Sequence, residues 1–363
     1  MKTTISVIRA GLGSFPGRSR THPRLLEEAA RCLKKREGDL LIDSFVTHCG
    51  DEIELVMTHE RGVNNEVVHR LAHDVLAACA QSAVRLKLHL AARDLVLLGG
   101  VGGECRGMGP GVAEMEFEER VSDPVLLFMT DGGGPGAWNL PLYRAFADPF
   151  TTPGLVINPS LREGFVFEVH DLVARKKAFF QTPGESYDLL AHIGASSRFV
   201  VSRVLSNQGA IAASTSAGQP DLPAGRFAGQ DDPVMIVRAE SGFPAVGDLL
   251  GAFTTPFLAG GWTMGSCRGP LMPVGVCDAN GTAFDGPPRA ICLGFQVAEG
   301  RLIGPADMFD DPAFDPVRRR CLELGEMLRA HGPFEPHRRP FFETEDPILL
   351  DVGTGEGRWE PLE

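Results

Sequence analysis

The chain has 363 residues, 43% of them hydrophobic, ample for one large core or two smaller ones. Its net charge of -12 speaks against non-specific nucleic-acid binding. No uninterrupted apolar run reaches about 18 residues, so no membrane span is expected. The opening MKTTISVIRA lacks a signal peptide's apolar core and cleavage site, and a cytoplasmic location is the default expectation. Eight cysteines without a CxxC pair favour reduced thiols over a disulfide framework.

In chain order, residues 2–9 alternate like a strand and Gly11 to Gly17 is a Gly/Pro loop. Residues 23–36 predict a helix with Leu25, Leu26, Ala29 and Leu33 on one stripe. Residues 39–48 and 52–59 predict strands around Cys49-Gly50-Asp51-Glu52, a hairpin whose tip carries two acids. A second helix follows at 64–84. The Gly-rich stretch 100–111 lacks the Lys-Ser/Thr of a phosphate loop and precedes a strand-like VAEMEFEER. Residues 124–130 predict an apolar strand with Asp131 at its end before Gly132-Gly133-Gly134, a pattern suited to close approach of a ligand or metal.

Further on, a helix is expected at 140–147, strands at 154–158, 164–170 and 197–204, and an exposed loop at 205–224. In GRFAGQDDPVMIV, Asp231 and Asp232 stand at the mouth of a short β-branched run. Adjacent carboxylates repel, so a divalent cation or cationic side chains hold such a pair, unless it is a solvated turn. A helix at 244–253, a second Gly-rich run at 260–270, a strand at 291–298 and a helix at 314–330 complete the body. The Pro-rich tail, about 335–363, is expected to wrap over the surface. No βαβ alternation and no repeat are visible, which predicts a single α/β (α+β) domain over residues 1–363 with sheets covered by helices.

The strand-end acids are Asp51, Glu52, Asp131, Asp231, Asp232 and Asp285, the last in FDGPPR. Hard cations take several such oxygens alongside substrate phosphates, so one reading is a Mg²⁺ site acting on a phosphorylated substrate. The other is ordinary solvated strand ends. Cys49, Cys105 and Cys267 fall in adjoining loops as thiol candidates, although buried inert cysteine is the simpler reading. His48 neighbours Cys49 and would point to the opposite face of a regular strand.

The segments MKTTISVIRA, RGMGPGVAEMEFEER, NLPLYRAFADPFTTPGLVI, DDPVMIVR, GPLMPVGVCDA, FDGPPR and GPADMFDDPAFDPVRR resemble the bifunctional fructose-1,6-bisphosphate aldolase/phosphatase family, from residue 1 to about residue 340. The resemblance implies a four-layer α-β-β-α sandwich, a homo-octamer with active sites near subunit contacts, and magnesium held by strand-end carboxylates. It also implies a lysine that forms a Schiff base with dihydroxyacetone phosphate and a tyrosine that handles the proton. Asp51, Asp131, Asp231 and Asp232 match the family's metal-binding acids, and Glu52 replaces an aspartate. Asp285 matches an acid on the substrate side. Gly103 matches a phosphate-contacting loop in which Glu104 replaces an amide.

The chain departs from the family at the chemistry. Gln230 stands at the Schiff-base lysine and Phe227 at the tyrosine. Gly11 and Arg18 replace a metal-binding aspartate and a following histidine, and Arg93 replaces a metal-binding glutamine. Gly132 replaces a lysine and Met264 a substrate-binding arginine. Glu240 and Ser241 replace Gln-His substrate contacts, and Glu343 aligns with a C-terminal tyrosine. A carboxamide cannot form an imine, so the family's aldol chemistry is excluded at residue 230. Arg18, Arg93 and Arg268 would neutralise a carboxylate or bind an anionic substrate. Three readings stay open: an altered metal-dependent enzyme on a small phosphorylated or polyhydroxylated anionic metabolite, a fructose-1,6-bisphosphatase without aldolase activity, and a non-catalytic relative that keeps the scaffold.

Overall fold

Alternating apolar side chains shape the N-terminal third. The computed structural model describes residues 1–91, 111–216, 233–258, 269–280, 286–330 and 358–362. Strands β1 (Lys2–Gly11), β2 (Asp43–Cys49), β3 (Glu52–His59) and β4 (Gly111–Glu118) form an antiparallel sheet in the order β2-β3-β1-β4. One face carries Ile8, Ala10, Ile53, Leu55 and Met57 against helices α1 (Pro23–Lys34) and α2 (Glu66–Arg85). The opposite face sends Ile5, Val7, Val56 and Met115 into the main core, as the period of two requires. The Asn65 side chain accepts from the Val67 and Val68 N–H groups and fixes the start of α2.

The second sheet has ten strands. These are β5 (Pro124–Asp131), β6 (Phe165–Asp171), β7 (Lys176–Gln181), β8 (Phe199–Ser206), β9 (Ile211–Thr215), β10 (Met235–Arg238), β11 (Met272–Pro273), β12 (Arg289–Ala298), β13 (Arg301–Asp307) and β14 (Glu360–Pro361). Their order is β11-β12-β5-β10-β9-β8-β6-β7-β14, with β13 on β12. Helices α3 (Asn139–Phe146), α5 (Ser186–Ile193), α6 (Val246–Gly251) and α7 (Asp315–Ala330), with the single turn α4 (Gly154–Ile157), complete the described α-helices. On the face of β5 turned from the small sheet, Phe128 stacks on Phe253 at 5.1 Å and meets Phe309 and Trp138. The result is the expected helix–sheet–sheet–helix sandwich of mixed α/β class. No described helix is long and apolar enough to cross a membrane.

Two expectations are corrected. Residues 154–158 are a helical turn rather than a strand: the Asn158 N–H returns to Gly154 O, and Val156 and Ile157 are exposed. The 205–224 stretch is not all exposed loop, because Ile211–Thr215 is an interior strand with Ala212 and Ala213 fully buried. The Thr215 hydroxyl donates to Val201 O on the neighbouring strand β8. Residues 217–224 lie outside the described residues. At the tail, Trp359 packs 5.5 Å from both His192 and Phe199, and β14 pairs with Lys176 and Lys177.

A polar cluster lies buried between the small sheet and α2. The Ser6 hydroxyl donates to Glu114 Oε1 at 2.5 Å, and His69 Nε2 lies 3.0 Å from the same oxygen. His59 Nε2 lies 2.9 Å from Ser6 Oγ, while its Nδ1 accepts the Arg61 N–H. Burial, with the positive charges of His69 and Arg61, outweighs the attraction of Glu114 and lowers the His59 pKa from 6.5 to about 4. The neutral ring is therefore the folded form. The unfolded chain binds the extra proton first, so stability is full above pH 6.5 and is lost as pH falls from 6.5 toward 4. The loss attributable to His59 is roughly 3 kcal/mol by pH 4. Urea denaturation at several pH values should show this slope and show it flattened in His59→Asn; an equal slope in both proteins would remove His59 as its cause.

Candidate active site

The site is built where the tip of the small sheet meets the end of a central strand of the large one. Strands β2 and β3 pair up to Cys49↔Glu52, which leaves Gly50-Asp51 as a two-residue turn with Gly50 at φ 59. Such hairpin turns need positive φ, which glycine supplies. Packing demands glycine a second time: a Cβ on Gly50 would stand 2.2 Å from the Asp131 carboxylate carbon. The Asp131 carboxylate thus lies directly against the turn that carries Asp51. The turn is held on two further sides, with the Gly50 N–H donating to Ala279 O and the Thr21 N–H donating to Gly50 O.

Beside Asp131 in the sheet stands Arg289, its direct partner in the β5–β12 ladder. Opposed residues in an antiparallel pair project to one face with Cβ atoms about 5 Å apart. The Arg289 guanidinium is half-buried and donates to Asp278 O through Nη1. Arg289 and Asp131 therefore share one face of the sheet, with the Arg289 guanidinium turned to Asp278 O. Neither Arg289 nor Gly50 stood out in the sequence; the Arg of FDGPPR and the Gly of the hairpin turn carry the signal only once the register is known.

The predicted residues divide. Asp51 and Asp131 are brought together, both half-buried. Glu52 is buried and forms an ion pair with Arg9, itself 2% exposed. Its carboxylate faces the Arg9 guanidinium. Arg18 is exposed, on a loop whose last residue, Thr21, touches Gly50. Gly11 ends β1 opposite Glu52. Cys49 faces the core between the sheets, its thiol directed at Met129 O at 3.8 Å, while half-buried His48 falls on the other face of the strand. Burial lowers the pKa of His48 and favours the neutral ring. Burial also pushes Cys79 and Cys321 up to about 12 and Cys292 well above the ordinary range, so these thiols are inert.

Glu240 and Ser241 lie elsewhere. They follow β10, whose Arg238 pairs with Val125 at the start of β5. That position is six residues along β5 from Asp131, or roughly 20 Å at the usual rise per residue. Within one chain no small substrate touches both. Phe227, Gln230, Asp231, Asp232, Arg93, Gly103, Glu104, Cys105, Met264, Cys267, Arg268, Asp285 and Glu343 lie outside the described residues. The chain re-enters the structure at Pro233, whose carbonyl accepts the Trp138 indole N–H at 2.9 Å.

As metal donors, Asp51 and Asp131 are hard oxygen ligands. Among the described residues no group of three or more His, Cys, Asp or Glu is assembled around a common point. Two carboxylates at one opening suit Mg²⁺, which keeps several waters and shares its sphere with substrate phosphate. They do not suit a thiolate- or imidazole-seeking metal.

The fold is a four-layer α/β sandwich, with the Asp131 carboxylate at the end of a central strand facing the glycine turn that carries Asp51. The family described as Fructose-1,6-bisphosphatase matches residues 2–352 of this chain. A fructose-1,6-bisphosphate aldolase/phosphatase of Ignicoccus hospitalis is 52% identical over 352 residues, covering 97% of this chain and 91% of that protein. The one from Moorella thermoacetica is also 52% identical, over 97% and 92% of the two chains. That of Methanocaldococcus jannaschii is 48% identical over 364 residues, covering 100% of this chain and 93% of its own. The chain belongs to the fructose-1,6-bisphosphate aldolase/phosphatase family.

The Gly50 turn is the point at which this geometry is most sensitive. Gly50→Ala places a methyl group in the space of the Asp131 carboxylate and strains a left-handed residue. It should cost about 1–3 kcal/mol in chemical denaturation. An unchanged midpoint would show that turn and strand end do not press together.

Proposed function

We propose that the protein is a magnesium-dependent enzyme acting on a small phosphorylated or polyhydroxylated anionic metabolite, and that it lacks the Schiff-base aldol step. The observation that carries this reading is the contact of the Gly50 turn with Asp131, which gathers Asp51 and Asp131 at one opening. When bound there, magnesium would withdraw charge from phosphoryl oxygens and lower the pKa of an attacking water. Asp51 and Asp131 would hold it together with Asp231 and Asp232. Arg93 and Arg18 would take an anionic group, and Gly103, Glu104, Met264, Arg268 and Asp285 would line the substrate. Arg289 would add a positive charge on the same face of the sheet as Asp131.

The loss of the imine step rests on Gln230, whose carboxamide has no amine to condense with a carbonyl, and on Phe227, which has no hydroxyl. No lysine stands in for it on the elements that carry the described acids. Lys2 pairs with Glu116, Lys34 pairs with Glu37, and Lys176 and Lys177 lie on β7 far across the sheet. The relatives' name makes fructose 1,6-bisphosphate the first substrate to test.

We further propose a homo-oligomer, an octamer by family resemblance, in which Glu240 and Ser241 reach a substrate held by another copy. The separation of those residues from Asp131 within one chain supports this, as do the exposed apolar side chains Phe150, Val156 and Ile157, at 97%, 55% and 73% exposure.

With Mg²⁺ present, the protein should release phosphate from fructose 1,6-bisphosphate. Chelation should abolish the activity, and Asp131→Asn should lower it more than about 100-fold. Borohydride with dihydroxyacetone phosphate should leave no covalent adduct in the mass spectrum. Mg²⁺ binding without turnover would instead direct the search to other phosphorylated and carboxylated metabolites. Phe150→Asp with Ile157→Asp should reduce the mass seen by sedimentation; an unchanged mass would place the subunit contact elsewhere.

A further inference from the structure

At the end of the large sheet opposite Asp131 lies a cleft of about 670 Å³, with Phe117, Arg120, Phe165, Asn207 and Ser241 among its walls. Its lip is unusual. Glu240, Ser241 and Gly242 have φ of 59, 47 and 98, three consecutive left-handed residues of which two carry side chains. Neither glutamate nor serine favours that conformation, and both residues are exposed, so core packing does not impose it. Strain of this kind persists only where neighbouring groups over-determine it, and it gathers at functional positions.

Arg120 does the over-determining. Its Nη1 donates to Glu240 O at 2.6 Å and to Ser241 O at 3.0 Å, and its Nη2 donates to Ala239 O at 2.8 Å. One guanidinium thus gathers three successive carbonyls. The same side chain is fixed from behind, because Nε and Nη2 both donate to Asp123 Oδ1, at 3.1 and 2.6 Å. Asp123 is fully buried and also grips Arg238 through both oxygens, at 3.0 and 2.8 Å. Burial raises the Asp123 pKa, but hydrogen bonds from Arg238 and Arg120 outweigh it and hold the carboxyl below its ordinary value. The Phe243 ring lies 4.9 Å under the Arg120 guanidinium. The Glu240 carboxylate accepts the Val246 N–H at 3.0 Å, which closes the turn onto α6.

We infer that Arg120 is a positioning residue, holding Glu240–Gly242 in its left-handed form so that Ser241 and the turn backbone are presented to the phosphorylated or hydroxylated end of a substrate. This rests on the proposed function, which gives Glu240 and Ser241 to the substrate. A lysine is no substitute, since one ammonium lacks the planar fork that reaches Asp123 and three carbonyls together.

The test uses the full chain with Arg120→Lys and Arg120→Gln. Native cleavage after Glu240 by a Glu-specific protease reports the order of the turn, and KM and kcat for phosphate release from fructose 1,6-bisphosphate report presentation. Both variants should be cut roughly tenfold faster and show KM raised about tenfold, with kcat within about twofold. Gly242→Ala disturbs the same turn without touching Asp123, and a Cβ there meets nothing within 4 Å. It strains the backbone at φ 98 but leaves the buried Asp123 contacts whole, so it should reproduce the KM change in a folded protein, and the inference stays testable if the arginine variants do not fold. Unchanged cleavage overturns the clamp. Faster cleavage with unchanged KM, in a background where the wild type is active, makes Arg120 structural only and overturns the positioning role. A wild type that neither binds Mg²⁺ nor hydrolyses fructose 1,6-bisphosphate overturns the proposed function and this inference with it.

Discussion

A single missing side chain governs how the two halves of this protein meet. The small sheet ends in a turn at Gly50, the large sheet ends its central strand β5 at Asp131, and only a hydrogen on the Gly50 Cα lets them touch. The backbone of the same turn is tied to Thr21 and to Ala279, so the N-terminal loop and the chain before β12 are drawn to the same point. The arrangement brings the turn that carries Asp51 up against the Asp131 carboxylate. Arg289 stands across the ladder on the same face as Asp131.

Charge also braces the structure away from this point. The buried Arg9–Glu52 pair sits between the sheets just behind the hairpin tip. Removing either partner would leave a buried unpaired charge, at a cost of roughly 3–5 kcal/mol. At the far end Asp123 gathers two arginines and, through Arg120, the turn that follows β10. Ionic contacts therefore brace the small sheet behind the hairpin tip and the large sheet at the start of β5, on either side of an aromatic and aliphatic core around Phe128, Trp138 and Phe253. Stiff ends on a close-packed middle are what a site built from strand termini needs in order to hold its groups in place.

Much of the fold is legible in the sequence because the long elements are either periodic or short continuous apolar runs. The helices at 23–34, 66–85 and 315–330 carry a period of 3.6, β1 alternates, and β5 is an unbroken apolar run that is buried along its length. Strand β9 was missed because Ile211–Thr215 is short and small-polar, and only its burial between β8 and β10 makes it a strand. The run at 154–158 misled in the opposite sense: its apolar residues are exposed, and hydrogen bonds local to the turn decide its shape. Within the candidate site, the acids were visible as residue types at strand ends. What was hidden depends on register and depth: that Glu52 is paired with Arg9, that Gly50 presses on Asp131, that Arg289 faces Asp131, and that Glu240 lies at the other end of the sheet.

The central claim is that Asp51 and Asp131 together form a hard-cation site. Its most direct test is a crystal of the full chain soaked in Mn²⁺ and measured at the manganese edge. An anomalous peak bonded to oxygens of both Asp51 and Asp131 is the predicted result. No peak there, or one elsewhere with these carboxylates bound only to arginine, would contradict the account.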